Sequence, residues 1–397
     1  MKTSIFLPLL LAFSFSGIPS ILVAQEYEPI PVFAPSQFVS EEFIQGSSYK
    51  VIGNATADGM LASFSVWSRY GWYRPQSVDY LKIRIAEIRA MDALVQLQQE
   101  PLFLQGVSDQ VSGTLEQTGR ALTRPLQTLK EVPLGLQKFG SQIKARSQEG
   151  RSGSGAGIHD KAKRQLAQSL GVDPYTDNAR LQEMLTTVAT NKNRGQLTAR
   201  IGSLFVPGGV GIAVSAAQIN KSLQETLVNL SPAELHQVNR DALSRLGCPQ
   251  QDVSMFLAHP VHTPTTQTAI RVAMEGLSSV EGIGQYLSSI LDVPNVEVAH
   301  IYQRRIQMAE YFHRNIRPLK KLVVAQSTPI FLDSEGKVVI FLNLDYLYWN
   351  EMMDQGIERL LAAVGTREGD VIITGATSPL AEAKLNQYGL KLYQQTQ

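Results

Sequence analysis

The chain contains a single cysteine, Cys248, among 397 residues. That excludes a disulfide framework and any zinc site built on four cysteines. Charge of one sign is also lacking: 36 Lys and Arg stand against 35 Asp and Glu, a formal charge of +1. Such a balance excludes a generally basic nucleic-acid binder and leaves room only for a local basic patch. No nucleic-acid partner is therefore expected. Charge is not abundant either, at 18% of residues against 44% hydrophobic. A disordered protein would be richer in charge and poorer in apolar residues, so the chain folds. Its length allows two or three domains of roughly 100–200 residues each.

Catalytic signatures are missing as well. The glycine-rich stretch Ser152–Gly157 is no phosphate loop, because no strand precedes it and no Gly-Lys-Ser/Thr follows. Pro207-Gly208-Gly209 and Gly211 do not form a Gly-x-Gly-x-x-Gly fingerprint. His259 and His262 lie three apart, but Pro260 and Pro264 break the local helix and no Glu sits between them. Asp173, Asp177 and Asn178 lack the alternating oxygen ligands and terminal Glu of an EF-hand, and read as turn and helix-cap residues. Cys248 sits in the turn Leu246-Gly247-Cys248-Pro249, with His236 the nearest base in sequence. It reads as a small, half-buried apolar residue, since a reactive thiolate needs an electropositive site. No catalytic residue, cofactor or metal is assigned.

What is present begins with a targeting pattern. Met1-Lys2-Thr3 is a short basic start, Ile5–Phe15 an apolar run, and Gly17, Pro19 and Ser20 break it before Ala24. This is the three-part layout of a secretory signal peptide over residues 1–24. The alternative is an uncleaved anchor, because Ser4–Ala24 is uncharged and close to the ~20 residues that span a bilayer. No cysteine near residue 25 supports a lipoprotein tether. The expected location is exported: periplasmic, envelope-associated or secreted.

Composition and periodicity divide the remainder. Residues 25–45, with Pro29, Pro31 and Pro35, read as an extended lead-in. Residues 46–146 read as a small β-meander followed by amphipathic helices. In the meander, Phe64 and Val66 alternate with Ser63, Ser65 and Trp67, and Asp58-Gly59 signals a turn. Ser77 caps a helix whose Leu81, Ile85, Ile88, Met91 and Leu94 share a face, with Lys82, Arg84, Glu87 and Arg89 mostly opposite. Trp67, Tyr70, Trp72 and Tyr73 read as core and cross-strand packing, or alternatively as a carbohydrate-stacking platform. Residues 103–146 carry a basic amphipathic pattern interrupted by Pro125 and Pro133. It suits a packed helical arm or an element lying on an anionic membrane. Residues 147–157 read as a flexible linker.

Residues 158–326 read as a helical domain. Within it, Ile201–Ile219 contains no charge. Leu204, Phe205, Val206, Val210, Ile212 and Val214 make it either a buried helical hairpin or an element contacting a membrane or partner. Residues 327–397 change period: two strands, a helix, a strand, a helix and a last strand, a small ββαβαβ unit. Thr374, Gly375, Thr377 and Ser378 fall between a strand's carboxyl end and a helix start, where an α/β sheet commonly binds an anion or ligand. The plainer role for Thr377 or Ser378 is to cap that helix. The fold class is thus α+β and helix-dominated: an N-terminal β-meander with its helix, a central all-helical region and a C-terminal α/β unit.

Four segments carry a resemblance: Ser68-Arg69-Tyr70-Gly71, Arg84-x-x-Glu87-Ile88-x-Ala90, Gly171-Val172-Asp173-Pro174-Tyr175, and Thr374-Gly375-x-x-Ser378-Pro379. Together they resemble an uncharacterised group of predicted exported proteins of Gram-negative bacteria, over most of the chain beyond the signal. The resemblance implies bacterial export and no particular chemistry. The expected function is accordingly that of a non-catalytic envelope protein that binds an envelope partner or the membrane surface. The alternative is an envelope hydrolase or carbohydrate-active enzyme whose carboxylates meet only in three dimensions.

Overall fold

The computed structural model describes residues 27–101, 103–105, 154–191, 195–196, 221–325 and 327–395. Within them the protein is a helix-dominated α+β fold.

The chain enters through β1 (Val32–Phe33) and the short helix α1 (Glu41–Ile44). These are not a loose lead-in. β1 pairs antiparallel with β3 (Ala55–Thr56), and Val39 and Phe43 are buried. The prolines only keep the regular elements short, while the aromatic rings supply the burial: Phe33 meets Phe38, and Phe38 meets Phe64. A three-stranded antiparallel sheet follows in the order β2 (Tyr49–Val51), β4 (Val66–Ser68), β5 (Gly71–Tyr73). Its inner side packs on α2 (Val78–Gln99), which starts where the Ser77 hydroxyl accepts the Tyr80 N–H.

Helix α3 (Ser154–Ser169) begins inside the expected linker. Glycine costs a helix about 1 kcal/mol per residue relative to alanine, an amount that docking of the helix can offset. α4 (Ala179–Ala189) follows, capped by the Asn178 side chain. Leu166 and Leu170 of α3 and Leu181, Leu185 and Val188 of α4 join the same core as Leu81, Ile85 and Ile88 of α2. The expected boundary between an N-terminal domain and a helical domain at 147–157 is therefore not a boundary between cores.

A second core gathers α6 (Pro232–Arg245), α7 (Gln250–Ala258), α8 (Pro264–Gly276), a 3-10 helix (Ile283–Ile290) and α9 (Val296–Asn315). α5 (Lys221–Asn229) precedes them. α6 carries the capping box Ser231–Glu234. α9 ends at Asn315. Pro318 cannot continue the helix, and the chain emerges as strand β6 (Leu319–Ala325).

That strand enlarges the C-terminal unit to β-β-β-α-β-α-β. β7 (Thr328–Asp333), β8 (Val338–Leu342), α10 (Glu351–Val364), β10 (Gly369–Ile373), α11 (Pro379–Gln387) and β12 (Leu390–Gln394) complete it. The sheet order is β12-β10-β8-β7-β6, with β8, β10 and β12 parallel and the hairpin strands antiparallel. Both faces are buried, which is why β8 reads Val-Val-Ile-Phe-Leu without polar alternation. Val339, Phe341 and Ile372 face the second core, while Val338, Ile340, Val371 and Ile373 face α10 and α11. The apolar spacing of 345–364 suits a helix throughout, but α10 starts at Glu351 with Asn350 as its cap, because Tyr346–Leu347 pairs as β9 with β11 (Ala376–Thr377).

Candidate functional site

Helix α2 is buried on more than one face. Arg84 and Glu87, expected opposite the apolar stripe and hence in water, are 8% and 1% exposed. The Arg84 guanidinium donates to Glu87 Oε2 at 2.8 Å and to both oxygens of Asp177, at 2.8 and 2.7 Å. Glu87 also accepts from the Thr176 hydroxyl and, at 3.0 Å, from Asn178 Nδ2. One guanidinium thus serves two carboxylates, each with further donors, as buried charges require. The Tyr80 hydroxyl donates to Asp177 at 3.3 Å, and the Arg84 guanidinium lies 4.9 Å from the Tyr80 ring centroid. Desolvation raises the Tyr80 hydroxyl well above its ordinary range.

Beside this network lies a cavity of about 80 Å³. Five segments converge on it. α2 supplies Tyr80, Ile83 and Glu87, the α3–α4 connection supplies Val172–Pro174, Thr176 and Asp177, α8 and its cap supply Thr263, Thr265 and Thr266, and α9 supplies Val296, His300 and Gln303. Gln224, Leu227 and Val228 of α5 close another side. Asp173 accepts the Thr265 hydroxyl at 2.5 Å and the Tyr175 N–H at 2.9 Å, both on Oδ1. Desolvation pushes its carboxyl up to about 6. His300 sits edge-on to the Tyr80 ring, 4.0 Å from Asp79, which also faces Arg304 at 3.6 Å.

A second feature lies on the outer face of the N-terminal sheet. Lys50, Trp67 and Trp72 are register partners across β2, β4 and β5. Tyr70 and Tyr73 pack against the core, but Trp67 is 46% exposed and Trp72 63%. Of the core and cross-strand packing expected of the four aromatics, the tyrosines meet the core, while the tryptophans pair across the strands but lie outside it. The reason is strand alternation: Val66 takes the inward position, so its neighbour Trp67 and cross-strand partner Trp72 face out. Exposed Lys50, Arg69, Arg74 and Ile52 surround the pair in sequence.

The other sequence candidates fall as follows. Leu204, Phe205, Val206, Val210, Ile212 and Val214 lie outside the described residues, as does most of the basic 103–146 segment. At 374–378, backbone and side chains are taken up locally. The Thr374 hydroxyl bonds within the Asn343–Leu344 turn, and Gly375 lies where a Cβ would overlap the Asp345 carbonyl oxygen. Ser378 caps α11 through the Ala381 N–H and donates to Glu28 Oε2 at 2.6 Å. The carboxylate at this helix start belongs to the chain itself. Thr377 is half-buried and bonds to the Ser378 carbonyl.

His262 Nε2 lies 2.9 Å from the Ile290 carbonyl, and burial lowers its basicity to about 4. His259 Nδ1 accepts the Val261 N–H. Among the described residues no group of three or more His, Cys, Asp or Glu is placed to hold a metal ion. Cys248 is buried, and desolvation pushes its thiol up to about 12. Asp177 and Asn178 serve as ion-pair partner and helix cap.

The Arg84–Glu87–Asp177 network and the cavity were missed from sequence. One signal was available: Ala86, Ala90 and Ala93 repeat at helical spacing beside Arg84 and Glu87, marking a second closely packed face. Two segments of the resemblance, Arg84–Ala90 and Gly171–Tyr175, meet at this place. No family model, curated protein or solved structure matches the chain.

Proposed function

We propose that the protein is an exported, non-catalytic envelope protein that seats on an anionic membrane surface through the outer face of its N-terminal sheet. The observation carrying this reading is the exposed cross-strand pair Trp67–Trp72, with Lys50 as the register partner of Trp67 and exposed Arg74 two residues beyond Trp72. Indole rings favour the membrane–water interface, and basic side chains near an anionic leaflet add about 1 kcal/mol each. Among the described residues no helix is long and apolar enough to cross a membrane, so the contact proposed is peripheral. Export rests on the signal layout of residues 1–24 and on the resemblance to exported proteins. A binding role rather than a catalytic one is supported by the chemistry of the interior. Arg84 holds Glu87 and Asp177 in ion pairs, and the Cys248 thiol stays protonated.

The test is co-sedimentation of the chain lacking residues 1–24 with vesicles of phosphatidylethanolamine containing a quarter phosphatidylglycerol. Wild type is expected in the pellet. A Trp67→Ser/Trp72→Ser double variant should partition about tenfold or more weakly, the equivalent of roughly 1–2 kcal/mol of apolar burial. Binding should also weaken as salt screens the cations. A wild type that stays in the supernatant, or a folded double variant that pellets equally well, overturns the reading. So does wild type that ignores vesicles but shows tryptophan quenching with peptidoglycan fragments.

A further inference from the structure

The cavity between α2, the α3–α4 connection, α8 and α9 is amphipathic in a specific way. Its apolar wall is Ile83, Val172, Leu227 and Val296. Its polar side carries three carboxylates, those of Glu87, Asp177 and Asp173. The first two share the single positive charge of Arg84 and accept further hydrogen bonds from Thr176, Asn178 and Tyr80. Asp173 differs. Among the described residues no ion pair reaches it, and its two hydrogen bonds both arrive on Oδ1. Oδ2 is left as the acceptor available to an occupant.

An aliphatic wall beside a carboxylate that has no ion-pair partner selects a cation with a hydrocarbon body. Anions are disfavoured by Asp173, and neutral solutes leave its charge unpaired. Size limits the choice further. At roughly 10–15 Å³ for each water-sized centre, about 80 Å³ admits about six such particles. That corresponds to a ligand of roughly five to seven non-hydrogen atoms. We propose that this cavity is a binding site for a small primary alkylammonium ion. Its ammonium group donates to Asp173 Oδ2, and its chain lies against Ile83, Val172, Leu227 and Val296. Thr266, at the first turn of α8, lies on the same wall as the Asp173–Thr265 bond, its hydroxyl accepting that of Thr263 at 3.3 Å. The site is separate from the tryptophan face and stands whether or not that face meets a membrane.

The experiment uses the chain lacking residues 1–24 in phosphate buffer, free of amine buffers. Thermal unfolding and titration calorimetry are measured with n-butylammonium, n-butanol and n-butyrate. Butylammonium at about ten millimolar should raise the unfolding temperature by roughly 2 °C or more, while the isosteric alcohol and the anion should not. Asp173→Asn keeps the shape, removes the charge and should weaken butylammonium binding at least tenfold. Val296→Phe fills the apolar end and should abolish binding with Asp173 intact. It decides the question if Asp173→Asn fails to fold. No response of wild type to butylammonium overturns the proposal, as does an equal response to butanol. An undiminished response in folded Asp173→Asn or Val296→Phe places binding elsewhere and overturns it too.

Discussion

Asp345, just past the carboxyl end of β8, accepts the N–H of Val78, the first residue of α2, on both carboxylate oxygens at 3.1 Å. The same carboxylate accepts the Ala62 N–H at 2.8 Å, and the Asp345 N–H donates to the Met60 carbonyl at 3.0 Å. A side chain of the C-terminal α/β unit therefore serves an orphan amide at the start of an N-terminal helix more than 250 residues away. Ser77, between these contacts and the helix, sits at φ +146°, a conformation that favours glycine, while its hydroxyl caps the helix. Nearby, Glu28 Oε2 accepts the Trp349 N–H and the Ser378 hydroxyl, both at 2.6 Å. The carboxyl end of the parallel strands, the usual ligand edge of an α/β sheet, is covered by the N-terminal region.

This joint has a pH signature. Desolvation pushes the Asp345 carboxyl up to about 7, whereas an unfolded aspartate titrates near about 3.9. Between those values the native state binds more protons than the unfolded chain. Stability therefore falls as pH rises through that window and levels off above it. Asp173, raised to about 6, acts with the same sign over a narrower range. Asp345→Asn keeps an oxygen acceptor and cannot ionise. Urea unfolding should find wild type and variant similar near about pH 3.5, below the unfolded value. At pH 8 wild type should have lost ground by an amount on the order of a few kcal/mol. A difference that does not change with pH contradicts this account.

Arg84 pairs with two carboxylates at once, as Arg317 does with Asp333 and Asp370, and is the more deeply buried of the two arginines. Arg84→Met leaves the buried Glu87 and the Asp177 carboxylate without a counter-charge, and should cost about 3–5 kcal/mol in denaturant unfolding. Adding Glu87→Gln and Asp177→Asn removes the stranded charges and should recover most of that loss, a non-additivity that a triple-variant cycle measures directly. Equal losses in the single and triple variants would show that packing of the Arg84 stem, not charge, sets the cost.

The contrast between Leu81 and Arg84 shows what sequence could reveal. The stripe Leu81, Ile85, Ile88, Met91 and Leu94 is local information, readable from 3.6-residue periodicity, and so was α2. The partner of Arg84 is Asp177, 93 positions away, and no periodicity reports a contact that distant. The C-terminal unit was legible for the same local reason, since Val-Val-Ile-Phe-Leu and Val-Ile-Ile are runs that only doubly buried strands need. β6 was not, because its exposed Lys320 and Lys321 blend into the charged end of α9. Those lysines also suit an edge strand, where they discourage further pairing. Alternation puts Trp67 on the face of its strand opposite Val66 while aromatic character argues for burial, and alternation decides: Trp67 faces out.

Gly375 offers the sharpest separation between a ligand loop and a structural close approach. A glycine in a strand-to-helix connection suits a phosphate cradle, where only the backbone is wanted. Here the space beside it is already filled: a Cβ would overlap the carbonyl oxygens of Asp345 and Leu344, and Ala376 N–H donates to that Asp345 carbonyl at 3.0 Å. Gly375→Ala must then push the 343–345 turn away, and with it the carboxylate that holds Val78 and Ala62. The expected cost is about 1–3 kcal/mol, typical of forced overpacking. It should come with faster amide exchange at Val78 and Ala62, remote from the substitution in sequence. If Gly375 were instead a spare position at an open anion site, the alanine would leave both stability and those two amides unchanged. Hydrogen exchange at Val78 thus distinguishes the two roles even where the overall stability change is small.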